Sequence, residues 1–155
     1  MSGLVLSLKA DEKFLVNGAL VQNGNKRGQI RLPDNSVNVL RLSDCLHPDE
    51  INTPVRRAYY SAQLILSGDN AHEQGALDLL ASLSSLEGVF KGTSLENQIG
   101  KAMIAAGRGR FYSVLVTLKR ILPIEAKMLE HAAEQSHMSQ LEKPQLEKPQ
   151  LEKTG

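Results

Sequence analysis

The sequence predicts an α+β protein: a small antiparallel five-stranded β-module at the N-terminus, followed by a part made of four to five helices. Three observations predict it. Residues 4–42 are short alternating runs punctuated by Asn17-Gly18, Asn23-Gly24 and Pro33-Asp34, the pattern of strands joined by tight turns. From Thr53 onward apolar residues recur every three or four positions, which is the helical period. Between them, Ser43-Asp44 and His47-Pro48-Asp49 mark a crossover. The expected organisation is a β-module over 1–45, a helical region over 46–137 belonging to the same unit, and a low-complexity tail over 138–155.

Leu4, Leu6 and Leu8 alternate with Val5, Ser7 and Lys9, so one face of a first strand is apolar. Phe14–Val16 is a second strand ending at Asn17-Gly18. Both residues of that dipeptide tolerate positive φ, so Ala19–Gln22 returns antiparallel. Gln29–Leu32 is a fourth strand, closed by the turn Pro33-Asp34-Asn35. Val37, Val39 and Arg41 line one face of the last, with Asn38, Leu40 and Leu42 on the other. The expectation is a single meander or small barrel.

Thr53 is a good N-cap, and Pro54 suits the first helical position, where its missing N–H costs nothing. Val55, Ala58, Tyr59, Ala62, Ile65 and Leu66 form one stripe, flanked by a row of Arg56, Tyr60 and Gln63. Gly68 ends that helix. A second helix, from about Ala71 to Leu86, is read with Leu77, Leu80, Ala81 and Ser84 inward. Thr93 or Ser94 caps a third, with Leu95, Ile99, Ala102, Met103 and Ala106 in register and Gly107 as its cap. A fourth begins near Gly109, with Phe111, Val114, Leu115, Leu118 and Leu122 on one face. Pro123 is expected to kink or split it, because proline removes a donor and clashes with the preceding turn. The tail repeats Pro-Gln-Leu-Glu-Lys, a five-residue period that fits neither helix nor strand, and is expected to be disordered.

Composition narrows the function. One cysteine, Cys45, excludes an internal disulfide and points to a reducing compartment. No apolar run is long enough to span a membrane, and the first residues lack a secretory signal pattern. The expectation is a cytoplasmic protein without membrane association. No phosphate-binding glycine loop, zinc-protease helix or nucleophile elbow occurs. The four histidines and Cys45 have no metal-ligand spacing. No enzymatic activity and no cofactor are therefore expected.

What remains is charge in stripes. Residues 67–90 carry no basic side chain, whereas 91–122 carry six against the single Glu96. Arg108-Gly109-Arg110 runs into Phe111-Tyr112, and Lys119 and Arg120 follow. Guanidinium groups beside aromatic rings suit a phosphate backbone or a stacked base. The candidate RNA-binding set is Arg56, Arg57, Tyr60, Arg108, Arg110, Lys119 and Arg120 on the helices. Lys26, Arg27, Arg31 and Arg41 extend it onto the strands. The bland alternative is a mixed solvated surface, in which Arg56 or Arg57 pairs with the acidic second helix.

An ordered set of segments resembles the FlbT family of flagellum biosynthesis repressors. The segments are Leu6-Ser7-Leu8-Lys9 with Glu12-Lys13-Phe14, then Val16-Asn17-Gly18-Ala19, then Thr53-Pro54-Val55-Arg56-Arg57-Ala58-Tyr59, then Gly109-Arg110-Phe111-Tyr112. The resemblance covers about residues 4–133. It implies a post-transcriptional regulator that associates with the 5′ untranslated region of flagellin mRNA and promotes its degradation or represses translation. It implies the flagellin mRNA leader as partner, and FlaF and flagellin as protein partners. A homo-oligomer is compatible with it. The alternative is an adaptor that binds FlaF or flagellin and meets RNA only indirectly. The strand pattern is also similar to that of the carbon storage regulators, which place an arginine at the end of the last strand, as Arg41 stands here.

Overall fold

The computed structural model describes residues 3–34, 36–69 and 72–152, with side chains to residue 138 apart from that of residue 72. By internal contacts the chain divides into two units, Met1–Ile121 and Leu122–Gly155.

In the first unit β1 (Leu4–Leu8), β2 (Lys13–Val16), β3 (Ala19–Gln22), β4 (Gly28–Leu32) and β5 (Val39–Arg41) precede the helices. The five strands do not form one module. They form two sheets, one of β1 and β4, the other in the order β3-β2-β5. The expected meander stops after one hairpin. That hairpin is as predicted: Val16 pairs with Ala19, and Asn17 and Gly18 take φ of 49° and 85°. The chain then crosses to β1 instead of turning back. Asn23 explains the crossing. Its amide donates to the carbonyls of Lys9 (2.7 Å) and Lys26 (2.9 Å), and its backbone N–H bonds Glu12 O. The loop after β3 is thereby stitched to the loop after β1, and β4 falls antiparallel beside β1, Leu8 opposite Gly28.

One apolar cluster joins both sheets. Leu6 and Leu8 of β1 meet Phe14 of β2 and Val39 of β5, and Tyr112 from a later helix packs on its margin. Val39 and Leu40, neighbours on the last strand, are both buried, because β5 lies against both β2 and α1 (Pro54–Ser67). Two short 3-10 turns, Leu42–Asp44 and Pro48–Glu50, lead into that helix.

Helix α1 is the one whose ends the sequence spells out. Thr53 Oγ1 accepts from the Arg56 N–H. Gly68, at φ 84°, closes the C-terminus, with Gly68 N–H on Ile65 O and Asp69 N–H on Leu64 O, a Schellman arrangement. The whole predicted stripe is buried. Gln63 is not a flanking residue: it is buried as well.

In α2 (His72–Val89) the inward face differs from the reading. Leu79, Leu83 and Leu86 are buried, and Leu77 is 63% exposed. Ala71, where the helix was expected to start, lies outside the described residues. α3 (Glu96–Gly107) buries Ile99, Ala102 and Ala106. Gly107 is its last residue; the positive φ falls two residues later, at Gly109 (73°). α4 (Phe111–Glu152) buries Phe111, Val114, Leu115, Leu118 and Ile121.

The second unit is the remainder of α4, and the helix is assigned through Pro123 without the expected split. The range of α4 also includes most of the repeat set apart as a tail, whose side chains lie outside the described residues. Within this unit Ile124, Met128, Leu129 and Met138 are exposed. Among the described residues no helix is long and apolar enough to cross a membrane.

Candidate nucleic-acid interface

The site grows from the short segment after β5. Asp44 closes the first 3-10 turn and is buried. Its carbonyl accepts the Tyr59 hydroxyl at 2.6 Å, and its carboxylate accepts the Lys119 ammonium at 2.6 Å. One residue thus ties α1 and the third turn of α4 to the end of the β-region. Two residues on, Gln63 grips the backbone of Leu46 twice, accepting from its N–H at 2.7 Å and donating to its C=O at 3.1 Å. Burial in this knot, followed by the Asp44 charge, raises the pKa of Cys45 and of Tyr59 above their ordinary values.

Arg41 stands beside it. Its Nη1 meets Glu12 Oε2 at 3.4 Å, its Nη2 donates to Ser7 O at 2.9 Å, and its Nε is buried without a partner among the described residues. The other Glu12 oxygen accepts the Lys9 backbone N–H at 2.9 Å. Arg41 and Lys9 border two adjoining depressions. One, of about 410 Å³, is also lined by Arg27 and Gly28 and has no acidic residue in its lining. The other, of about 420 Å³, is also lined by Tyr112, Val116 and Lys119. A third, of about 180 Å³, continues past Tyr112 to Arg110, Ser113 and Asp34. The Asp34 pKa lies below the ordinary value because its carboxylate accepts from the Ser36 hydroxyl and N–H.

The electrostatics of this seam follow from burial. The side chains of Glu12 and Asp44 are 9% and 7% exposed, whereas that of Lys119 is 59% exposed. Lys9, Arg27 and Arg110 are exposed too. Two of its carboxylates lie beneath the surface as counter-ions and the cations lie on it, so the field reaching solvent is weighted to the positive side.

Of the predicted residues, the structure brings Arg27, Arg41, Arg110 and Lys119 to the seam. Lys119 and Arg41 double as structural ties. The α1 pair lies elsewhere. Arg56 donates to Glu50 O (3.2 Å) and Asn52 Oδ1 (3.0 Å), so it serves the start of its own helix and not the acidic α2. Arg57 borders a different depression with Pro54, Ser82 and Val89. Tyr60 is half-buried on α1, and Lys26, Arg31, Arg108 and Arg120 are exposed without lining the seam. Lys9 was missed as a site residue; its signal was a basic residue directly after an alternating strand. Among the described residues no group of three or more His, Cys, Asp or Glu is placed to hold a metal ion.

Fold and seam together define a small α+β protein that offers cations around one aromatic ring. The sequence profile described as "Flagellar protein FlbT" matches residues 4–129. The chain belongs to the FlbT family. It is 31% identical over 131 residues to the flagellum biosynthesis repressor protein FlbT of Caulobacter vibrioides, covering 84% of this chain and 92% of that protein. The probable flagellum biosynthesis repressor of Caulobacter sp. is 32% identical over 133 residues, 84% and 98% covered. That of Agrobacterium fabrum is 29% identical over 130 residues, 84% and 86% covered. No solved structure matches the chain.

Proposed function

We propose that this chain is a cytoplasmic regulator of flagellum biosynthesis that binds the 5′ untranslated region of flagellin mRNA and thereby promotes its decay or represses its translation. The relatives' names support the flagellar role. The observation that carries the RNA part is the seam, with Lys9, Arg27, Arg110 and Lys119 exposed and the side chains of Glu12 and Asp44 largely withdrawn from solvent. Regulation proceeds by occluding the leader or recruiting other factors, so the chain itself needs no nuclease chemistry.

The test is a gel-shift titration of purified protein against flagellin leader RNA at two salt concentrations. Each phosphate contact to single-stranded RNA contributes roughly 0.7 to the logarithmic salt slope. Replacing Arg27 and Arg110 by Ala should weaken binding and flatten the slope by roughly 1.4. Arg56→Ala with Arg57→Ala should leave both unchanged. Equal effects from the two pairs would remove the seam from the interface.

A second reading has its own observation. β3 is an edge strand, paired among the described residues with β2 alone, and all four of its residues are exposed, Leu20 at 62%. An uncharged open edge is a template for strand addition. In this reading the chain is an adaptor for FlaF, flagellin or a second copy of itself. A pull-down repeated after nuclease treatment separates the two. Capture that survives nuclease, together with no binding of purified leader RNA, selects the adaptor.

A further inference from the structure

We propose that the depression between Lys9, Arg41, Tyr112 and Lys119 accepts one unpaired nucleotide, so that the RNA bound is single-stranded at this point. The inference rests on the RNA-binding reading and adds the form of RNA and the place of one base.

The depression holds about 420 Å³, within the range of pockets that enclose small molecules. Its walls are of two kinds. Lys9 and Arg41 form the side shared with the neighbouring depression that carries Arg27. Tyr112 and Val116, four residues apart on α4, line it too, with Lys119 one turn further along the same helix. Cations beside a ring with an aliphatic neighbour in one lining match a phosphate and a base of the same nucleotide. A paired base is already stacked within its helix and presents only an edge, so it cannot enter such a space.

The walls are fixed in advance. Glu12 and Ser7 hold the Arg41 guanidinium at two of its nitrogens. Asp44 holds Lys119. Tyr112 is half-buried, its ring packed on the margin of the cluster of Leu6, Leu8, Phe14 and Val39. The two carboxylates in the lining are engaged, Glu12 by Arg41 and the Lys9 N–H, Asp44 by Lys119. The Lys9 ammonium and the Arg27 guanidinium have no partner among the described residues, so both are available to a phosphate.

The experiment uses the full chain and two probes: a fluorescein-labelled single strand of flagellin leader RNA, and the same strand annealed to its complement. Anisotropy titrations should show the single strand bound at least about tenfold more tightly than the duplex. Tyr112→Leu keeps an apolar group on the cluster and removes the ring. It should weaken single-strand binding about tenfold, the usual scale of one lost stacking contact, and leave duplex binding unchanged. Lys9→Glu with Arg27→Glu should weaken both and flatten their salt dependence. Circular dichroism melting checks that each variant is folded. A second measurement needs no variant: 4-thiouridine in the single strand should crosslink to the peptide containing Tyr112 and Val116. Equal binding of both probes, a folded Tyr112→Leu with unchanged affinity, or crosslinks confined to other peptides would overturn the proposal while RNA binding itself stands. If the wild-type chain binds neither probe at low salt, the RNA reading fails, and this one with it.

Discussion

Two groups of cations are handled differently in this molecule. On α1, Arg56 and Arg57 are neighbours in sequence and look like a ready-made patch. Arg56 spends its guanidinium on the carbonyl of Glu50 and the side chain of Asn52, and Arg57 lies beside α2 residues. At the seam, Lys9, Arg27, Arg41 and Lys119 come from four places in the chain and share adjoining depressions. The carboxylates that pair with Arg41 and Lys119, those of Glu12 and Asp44, are on side chains only 9% and 7% exposed. A pair adjacent in sequence points to two neighbourhoods, whereas residues far apart in sequence can be gathered by topology. A surface that offers cations to a partner is recognised by where its carboxylates go.

The gathering depends on the knot at Asp44, which gives the comparison its energetic form. Tyr59→Phe should have the largest effect. It removes a hydroxyl that satisfies a buried carbonyl at 2.6 Å, and leaving such a group unpaired costs about 1–3 kcal/mol. Urea unfolding should show that loss. Asp44→Ala should cost less, about 1 kcal/mol, because the released Lys119, 59% exposed, regains water. A double-mutant cycle with Lys119→Met measures the pair itself. Arg56→Ala should cost about 0.5 kcal/mol or less, as exposed bonds at a helix start do. A ranking that placed Arg56 above Asp44 would mean that α1, and not the seam, holds the structural cations.

Much of this was legible in the sequence, where local chemistry decides. Thr53, Pro54 and Gly68 set the ends of α1 through capping and left-handed backbone, and Asn17-Gly18 set a hairpin through its positive φ values. The misreadings arose where a distant partner decides. In α2, leucines at 77, 79, 80, 83 and 86 supply more than one apolar stripe, and only packing selects the one through Leu79, Leu83 and Leu86. The sheets split because Asn23 binds the loop after β1, and a turn-forming residue carries no mark of a long-range bond. Gln63 looked like a polar flank because its partner, the backbone of Leu46, is invisible to periodicity. The candidate site was half legible for the same reason. The basic residues stood out, yet their convergence, and the place of Lys9 among them, depend on which strands pair.

The smallest effect at neutral pH is the most specific to the knot. Burial and the Asp44 charge raise the pKa of Cys45 from 9.0 and of Tyr59 from 10.0. For an acid whose pKa is higher in the folded state, the folded chain holds its proton where the unfolded chain has lost it. The resulting stability is fully present below the unfolded values and is lost as pH rises through the folded ones. Nothing from these two groups should change between pH 6 and about pH 8. Above about pH 9 the melting temperature should fall, by less in Cys45→Ser and by less again in Cys45→Ser with Tyr59→Phe. Arg56→Ala should not alter the slope, since the Arg56 guanidinium has no part in either titration. An alkaline limb unchanged by removal of both groups would place the proton-linked strain outside the segment that assembles the seam.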